Sequence, residues 1–175
     1  MKKAIVVVDM QKDFIDGALG TKEAQAMLPR MEAKLAAARA AGTALVFTMD
    51  THGEDYLNTQ EGHYLPVKHC IRGTAGWELD AEIAELIPKD HIFDKGTFAS
   101  TELAEVVKEI AVRESVELEL IGLCTDICVV SNALLLKAML PEVKISVDPA
   151  CCAGVTSEKH AAALETLRSC QVQCG

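Results

Sequence analysis

Ala4-Ile-Val-Val-Val8 opens the chain with an unbroken apolar run that stops at Asp9. A short β-branched run of this kind predicts a strand buried on both faces. The next apolar positions, Met27, Met31, Leu35 and Ala38, fall at helical spacing, and Gly42 marks the helix end. Thr43 to Met49 returns to strand character. After a long, weakly periodic segment, 51–77, Glu78 to Ile87 reads as a short helix stopped by Pro88, and His91 to Asp94 as a short strand. Leu103, Val106, Val107, Ile110 and Ala111 form the stripe of an amphipathic helix. Val116 to Ile121 predicts a fourth strand, and Val129 to Leu140 is apolar nearly all round, so it predicts a buried helix. Val143 to Val147 predicts a fifth strand, and Ser157 caps a last helix through Leu167. Gln171 to Cys174 completes the pattern as a short sixth strand.

Strands that alternate with helices predict an α/β fold, a parallel sheet with helices on both faces. At 175 residues the chain is expected to form one domain, 1–175. In such sheets the site lies outside the carboxyl ends of the strands. Asp9, Asp50, Lys95 and the segment Cys124–Cys128 all fall at those ends. The turn after strand one reads Asp-Met-Gln-Lys-Asp-Phe, which lacks the glycines of a dinucleotide site.

Composition narrows the partners. The formal net charge is −9 and no Lys/Arg cluster interrupts it, which argues against nucleic acid. No apolar run approaches the ~18 residues of a membrane span. The seven cysteines are odd in number, form no CxxC pair and follow no secretion signal, so a reducing cytoplasm with free thiols is expected. Cys124, Cys151 and Cys152 read as buried small hydrophobes.

Cys128 stands apart from the others. A strand ends at Gly122, a short turn follows, and an apolar helix begins near Cys128. A thiol at a helix N-terminus is expected to favour the nucleophilic thiolate, and the N–H groups there can hold an oxyanion. Asp9 is expected to need a buried partner and can act as a general base. Lys95 near a thiol favours its ionised form. A second cluster begins with Asp50-Thr-His52. If the following loop folds back, it adds Glu61 or His63, and His69. Carboxylate and imidazole together suit zinc, iron or manganese.

These segments carry a resemblance. Asp9-Met-Gln-Lys-Asp-Phe14, Lys95-Gly-Thr-Phe-Ala-Ser100 and Gly122-Leu-Cys-Thr-Asp-Ile-Cys-Val129 resemble the three signature segments of the isochorismatase-like cysteine hydrolases. Asp50-x-His52 and His69-Cys-Ile-Arg-Gly-Thr-Ala-Gly76 resemble the metal segment of the nicotinamidase branch. The resemblance implies a three-layer α/β/α fold with a mostly parallel six-stranded sheet in the order 3-2-1-4-5-6. It implies an Asp9–Lys95–Cys128 triad, a cis peptide between Leu123 and Cys124, and an oxyanion site made by the backbone N–H groups of Cys124 and Cys128. One divalent metal, zinc first and iron or manganese as alternatives, is implied at Asp50, His52, Glu61 and His69. His63 competes with Glu61. The stretch Leu65-Pro-Val-Lys-His69 has no aromatic residue before the histidine, which leaves Phe14 as the substrate's aromatic wall.

The activity so implied is hydrolysis of a small amide, nicotinamide or a related aromatic amide, with release of ammonia through a thioester. An N-carbamoyl or ureido amidohydrolase is the alternative within the superfamily. A catalytically silent interaction domain is the alternative from another class. The expected partner is the small amide itself, with no nucleic acid and no membrane, on a homo-oligomer (dimer or tetramer).

Overall fold

The structure, a computed structural model, describes residues 2–87 and 91–175. Among the described residues there are six strands: β1 (Lys2–Val8), β2 (Ala44–Asp50), β3 (Ile92–Lys95), β4 (Val116–Leu123), β5 (Lys144–Ala153) and β6 (Gln173–Cys174). They form one sheet in the order β3-β2-β1-β4-β5-β6, and every neighbouring pair is parallel. The helices are α1 (Lys12–Ile15), α2 (Lys22–Ala40), α3 (Gln60–Tyr64), α4 (Ala81–Ala84), α5 (Thr101–Arg113), α6 (Val130–Met139) and α7 (Ser157–Ser169). The fold and strand order expected above are those observed.

The period of two in β1 divides the core. Val6 and Val8 join Leu118, Leu120 and side chains of α5, α6 and α7 in one cluster. Ile5 and Val7 join Met27, Met31 and Leu35 of α2, with Ile83 of α4, on the other face. This is why the opening run contains no polar residue: both faces of β1 are covered. Met31 and Leu35 are fully buried, so Leu35→Ala removes about 2–5 kcal/mol of packing. α2 stops where Gly42 takes a φ of 70°, a conformation that glycine adopts without steric cost.

Several boundaries differ from the sequence reading. The helix expected over Glu78–Ile87 shrinks to α4, because the Asp80 side chain accepts the N–H groups of Glu82 and Ile83 and starts the helix there. Leu79 instead bridges to Gln11. Pro88, the expected stop, lies outside the described residues. β3 runs one residue further than expected and includes Lys95. β5 continues past Val147 to Ala153, passing Asp148-Pro149 through an irregularity in its pairing with β4. A proline lacks the N–H of a regular ladder and is tolerated at such a bulge. Thr156, not Ser157, caps α7, accepting the Lys159 N–H. The seven cysteines are all unbridged. Among the described residues no helix is long and apolar enough to cross a membrane.

Candidate active site

The sheet grows outward from β1 in both directions, so the chain reverses its winding between β1 and β4. A crevice opens at the carboxyl ends of two such strands. Asp9 follows β1, and the turn Thr125–Val129 follows β4. Asp9 turns the chain with a φ of 48°, a left-handed conformation that aspartate tolerates. It is fully buried. Its Oδ1 accepts the Thr48 hydroxyl at 2.6 Å, and its Oδ2 faces Lys95 Nζ at 2.6 Å. Lys95 Nζ also lies 3.2 Å from Asp50 Oδ1 and 3.4 Å from Cys128 Sγ. The structure thus brings Asp9, Lys95 and Cys128 to one buried point, with Asp50 beside them.

Electrostatics assign the protons at rest. Burial opposes the charge on Lys95, but Asp9, Cys128 and Asp50 outweigh it and raise its pKa, so it stays an ammonium. Burial raises the pKa of Asp9 against the lowering effect of Lys95, giving a carboxylate readier to take a proton than an ordinary one. The thiol of Cys128 differs from the expectation. Burial pushes its pKa well up, Asp9 pushes further, and Lys95 only partly offsets both. Cys128 lies in the first turn of a helical stretch that opens as the π-helical turn Thr125–Val129 and runs on into α6 from Val130. The Leu123–Cys124 peptide is cis, as the resemblance implied.

The second cluster forms as well. Asp50 ends β2, and the bridge between His52 and Ile71 closes residues 53–70 into a loop. Within it Thr59 caps α3, which points Glu61 inward, while His63 on the same short helix is exposed. Asp50, His52, Glu61 and His69 each offer a ligand atom within 4.8 Å of the others. His52 Nε2 and His69 Nε2 lie 3.0 and 3.4 Å from Asp50 Oδ2, and each lies 3.7 Å from Glu61 Oε1. An ion with bonds of about 2.1 Å in tetrahedral array spreads its ligands about 3.4 Å apart, so the spacing fits a small divalent metal. The carbonyl of Val67 can only accept, so it fixes the Nδ1 proton of His69 at 2.9 Å and leaves Nε2 for the ion. Burial opposes ionisation of Asp50, but the neighbouring His52 and His69 imidazoles and the charge of Lys95 hold its carboxyl well below the usual range. Two carboxylates and two imidazoles in a mostly buried pocket therefore fit a cation chemically as well as by distance.

Phe14 packs edge-on against His69, ring centroids 5.5 Å apart. Tyr56 is fully buried and stands 4.7 Å from the His52 ring and 5.0 Å from the His69 ring.

The sequence profile of the isochorismatase domain matches residues 3–175. The chain belongs to the isochorismatase family. It is 31% identical to an uncharacterised isochorismatase family protein of Bacillus subtilis, over 94% of this chain and 93% of that one. It is 26% identical to the nicotinamidase/pyrazinamidase of Mycobacterium tuberculosis, over 98% and 97% of the two chains. Its fold matches the pyrazinamidase of Pyrococcus horikoshii in complex with zinc at a TM-score of 0.80 and 25% identity, covering 100% of this chain and 99% of that one.

Three polar residues of this isochorismatase-family site escaped the sequence reading. Thr48 hydrogen-bonds Asp9 from within β2. Gln11 clamps the backbone of Asp50, its Nε2 donating to the carbonyl at 2.8 Å and its Oε1 accepting the N–H at 2.7 Å. Asn132 donates to the Cys128 carbonyl at 2.8 Å. Thr48 carried a signal: a lone polar residue within an apolar strand covered on both faces needs a partner. Gln11 carried none, because Asp50 is far away in sequence, and neither did Asn132, which besides Cys128 binds the distant backbone of Phe98 and Ser100.

Proposed function

We propose that this chain is a cysteine-dependent amidohydrolase, one domain over residues 1–175, that releases ammonia from a small amide. Nicotinamide or a related aromatic amide is the substrate class. The observation that carries the reading is Lys95 Nζ, 2.6 Å from Asp9 and 3.4 Å from Cys128, directly beside a four-residue ligand set. The nicotinamidase/pyrazinamidase relative and the zinc-bound pyrazinamidase structure support the same substrate class and metal.

Asp9 accepts the Cys128 proton as sulfur attacks the amide carbonyl, forming the C–S bond. Asp9 suits this because burial has raised its proton affinity. Lys95 stabilises the sulfur as it gains negative charge. Backbone N–H groups of Cys124 and Cys128 hold the oxyanion. The C–N bond then breaks, and Asp9 returns its proton to the departing ammonia. Water attacks the thioester, gives a proton to Asp9, and the acid leaves. The proton passes back to the sulfur, restoring the thiol. Phe14 forms an aromatic wall for the acyl group. Asp50, His52, Glu61 and His69 hold one divalent metal, zinc first and iron or manganese as alternatives, which supplies a Lewis-acid point for orienting a ring nitrogen.

The test is an ammonia-release screen over nicotinamide, pyrazinamide, carbamoyl amines and ureido acids, with and without zinc, iron or manganese. Turnover of an aromatic amide that needs metal is expected. Metal-independent turnover of a carbamoyl compound alone replaces this reading with the N-carbamoyl one. No ammonia from any compound sinks both.

A further inference from the structure

Asn132 joins two sides of the site that share no strand. Lys95 ends β3, a four-residue strand at the edge of the sheet beside β2. Cys128 follows β4, on the far side of β1. The Lys95 side chain must therefore cross the ends of β2 and β1 to reach the thiol. A short edge strand is held on one side only, and its end is among the less constrained parts of a sheet. Something must fix the segment that leaves it.

Asn132 is buried, one helical turn beyond Cys128. Its Nδ2 donates to the Cys128 carbonyl at 2.8 Å and to the Phe98 carbonyl at 3.1 Å. Its Oδ1 accepts the Ser100 N–H at 2.9 Å. Phe98 and Ser100 lie in the segment that leaves Lys95, and the Ser100 side chain caps α5 by accepting the Leu103 N–H. One amide thus grips the nucleophile's own carbonyl and both ends of a three-residue stretch next to the lysine. All of its partners are backbone groups, so they cannot rotate away as a side chain could. Leaving any of them unpaired in a buried site costs free energy.

We propose that Asn132 is a positioning residue that sets the distance between Lys95 and Cys128; this rests on the cysteine-hydrolase reading above. An asparagine that merely held α6 in place would matter equally with or without Lys95. One that acts through Lys95 would not.

A double-mutant cycle separates the two. Asn132→Ser is made alone and together with Lys95→Ala in the metal-loaded protein. Two quantities are read: kcat and KM for the amide, and the rate at which iodoacetamide labels Cys128, mapped by mass spectrometry. Asn132→Ser alone is expected to slow kcat and labelling by about 10-fold to 100-fold, the cost of a misplacement near 1 Å, with KM and metal content unchanged. In the Lys95→Ala background the same substitution is expected to cost less than about 2-fold. Equal losses in the two backgrounds overturn the proposal. Asn132→Asp keeps the shape and loses both donors, and it serves the same cycle if Asn132→Ser does not fold. Labelling needs no substrate. A coupled labelling cycle in a protein that hydrolyses no amide therefore removes the amidase reading and leaves the Asn132 role standing.

Discussion

Lys95 Nζ lies 2.6 Å from Asp9 Oδ2, and both side chains are almost wholly withdrawn from water. Desolvating two charges is expensive, and such a pair is seldom kept for stability alone. Here the same ammonium also reaches Asp50 and Cys128. One cation therefore links the residues proposed above as proton acceptor, nucleophile and metal ligand.

Removing either partner separates catalysis from folding. Asp9→Asn and Lys95→Ala are each expected to lower kcat by on the order of 10²–10⁴-fold. Their stabilities are expected to differ. Asp9→Asn leaves Lys95 with Asp50 as counter-charge at 3.2 Å. Lys95→Ala leaves Asp9 buried without its cation, at a cost of about 3–5 kcal/mol. Steady-state rates and thermal melts check both. Near-wild-type turnover in either variant returns that residue to a structural role.

Alkaline pH is expected to destabilise the protein through its buried thiols. Burial pushes Cys124 up to about 12 and Cys151 up to about 11, and Cys152 is raised as well. Above pH ~8.5 the unfolded chain ionises its thiols while the folded chain keeps these protonated. The unfolded state then binds fewer protons, so stability falls as pH rises, by up to about 1.4 kcal/mol per unit for each such thiol. The contribution is fully present below the ordinary thiol pKa and is lost progressively above it. Urea melts from pH 8 to 11 on wild type and Cys151→Ala measure it. The variant is expected to show the shallower slope, and identical slopes would remove Cys151 from the explanation.

What could be read from the sequence follows from the range of each interaction. β1 was legible as a short unbroken apolar run and α5 by its 3.6-residue stripe, because both patterns lie within a few residues. β5 beyond Val147 was not, since Asp148-Pro149 reads locally as a stop and only the neighbouring β4 carries the strand across it. The short turns α1 and α3 have too few residues to show a period. The site's carboxylates, imidazoles and thiol were legible by position at strand ends and by resemblance. Their supports were not: Gln11 and Asp50 lie 39 residues apart, and Asn132 and Ser100 lie 32 apart. The balance of charges at the Cys128 thiol escaped for a related reason. A local argument from helix ends omits burial and the charge of Asp9, which reaches Cys128 only through the fold.

Gly122 is expected to tolerate no side chain. Its φ is 124°, and a Cβ there would overlap the carbonyl of Val8 on the neighbouring strand. Backbone cannot swing aside as a flexible side chain can, and β1 and β4 carry Asp9 and the Cys128 turn at their ends. Gly122→Ala is expected to cost at least about 2 kcal/mol and to lower activity in whatever folded protein remains. Gly42→Ala is the control: its φ is also positive, but nothing lies within 4 Å of an added Cβ. It is expected to cost only about 1 kcal/mol and to leave turnover intact. Equal effects of the two would show that backbone conformation, and not the contact with Val8, limits position 122.

The metal loop gives the last test. Glu61 Oε1 stands 3.7 Å from both imidazole nitrogens, whereas His63 is exposed on the same short helix. Elemental analysis is expected to find one divalent ion per chain in wild type and in His63→Ala, and a clear loss in Glu61→Ala. A ligand set that joins both ends of residues 50–69 also stabilises the fold, because the ion binds the closed loop and not the open chain. Zinc added to stripped wild type should raise the melting temperature in proportion to the logarithm of its free concentration. The rise should shrink in Glu61→Ala and persist in His63→Ala. Loss of the ion from His63→Ala with retention in Glu61→Ala would reverse the ligand assignment. If wild type binds none of zinc, iron or manganese, the reading of Asp50, His52, Glu61 and His69 as a metal site fails, and with it the case for an aromatic amide over a carbamoyl one.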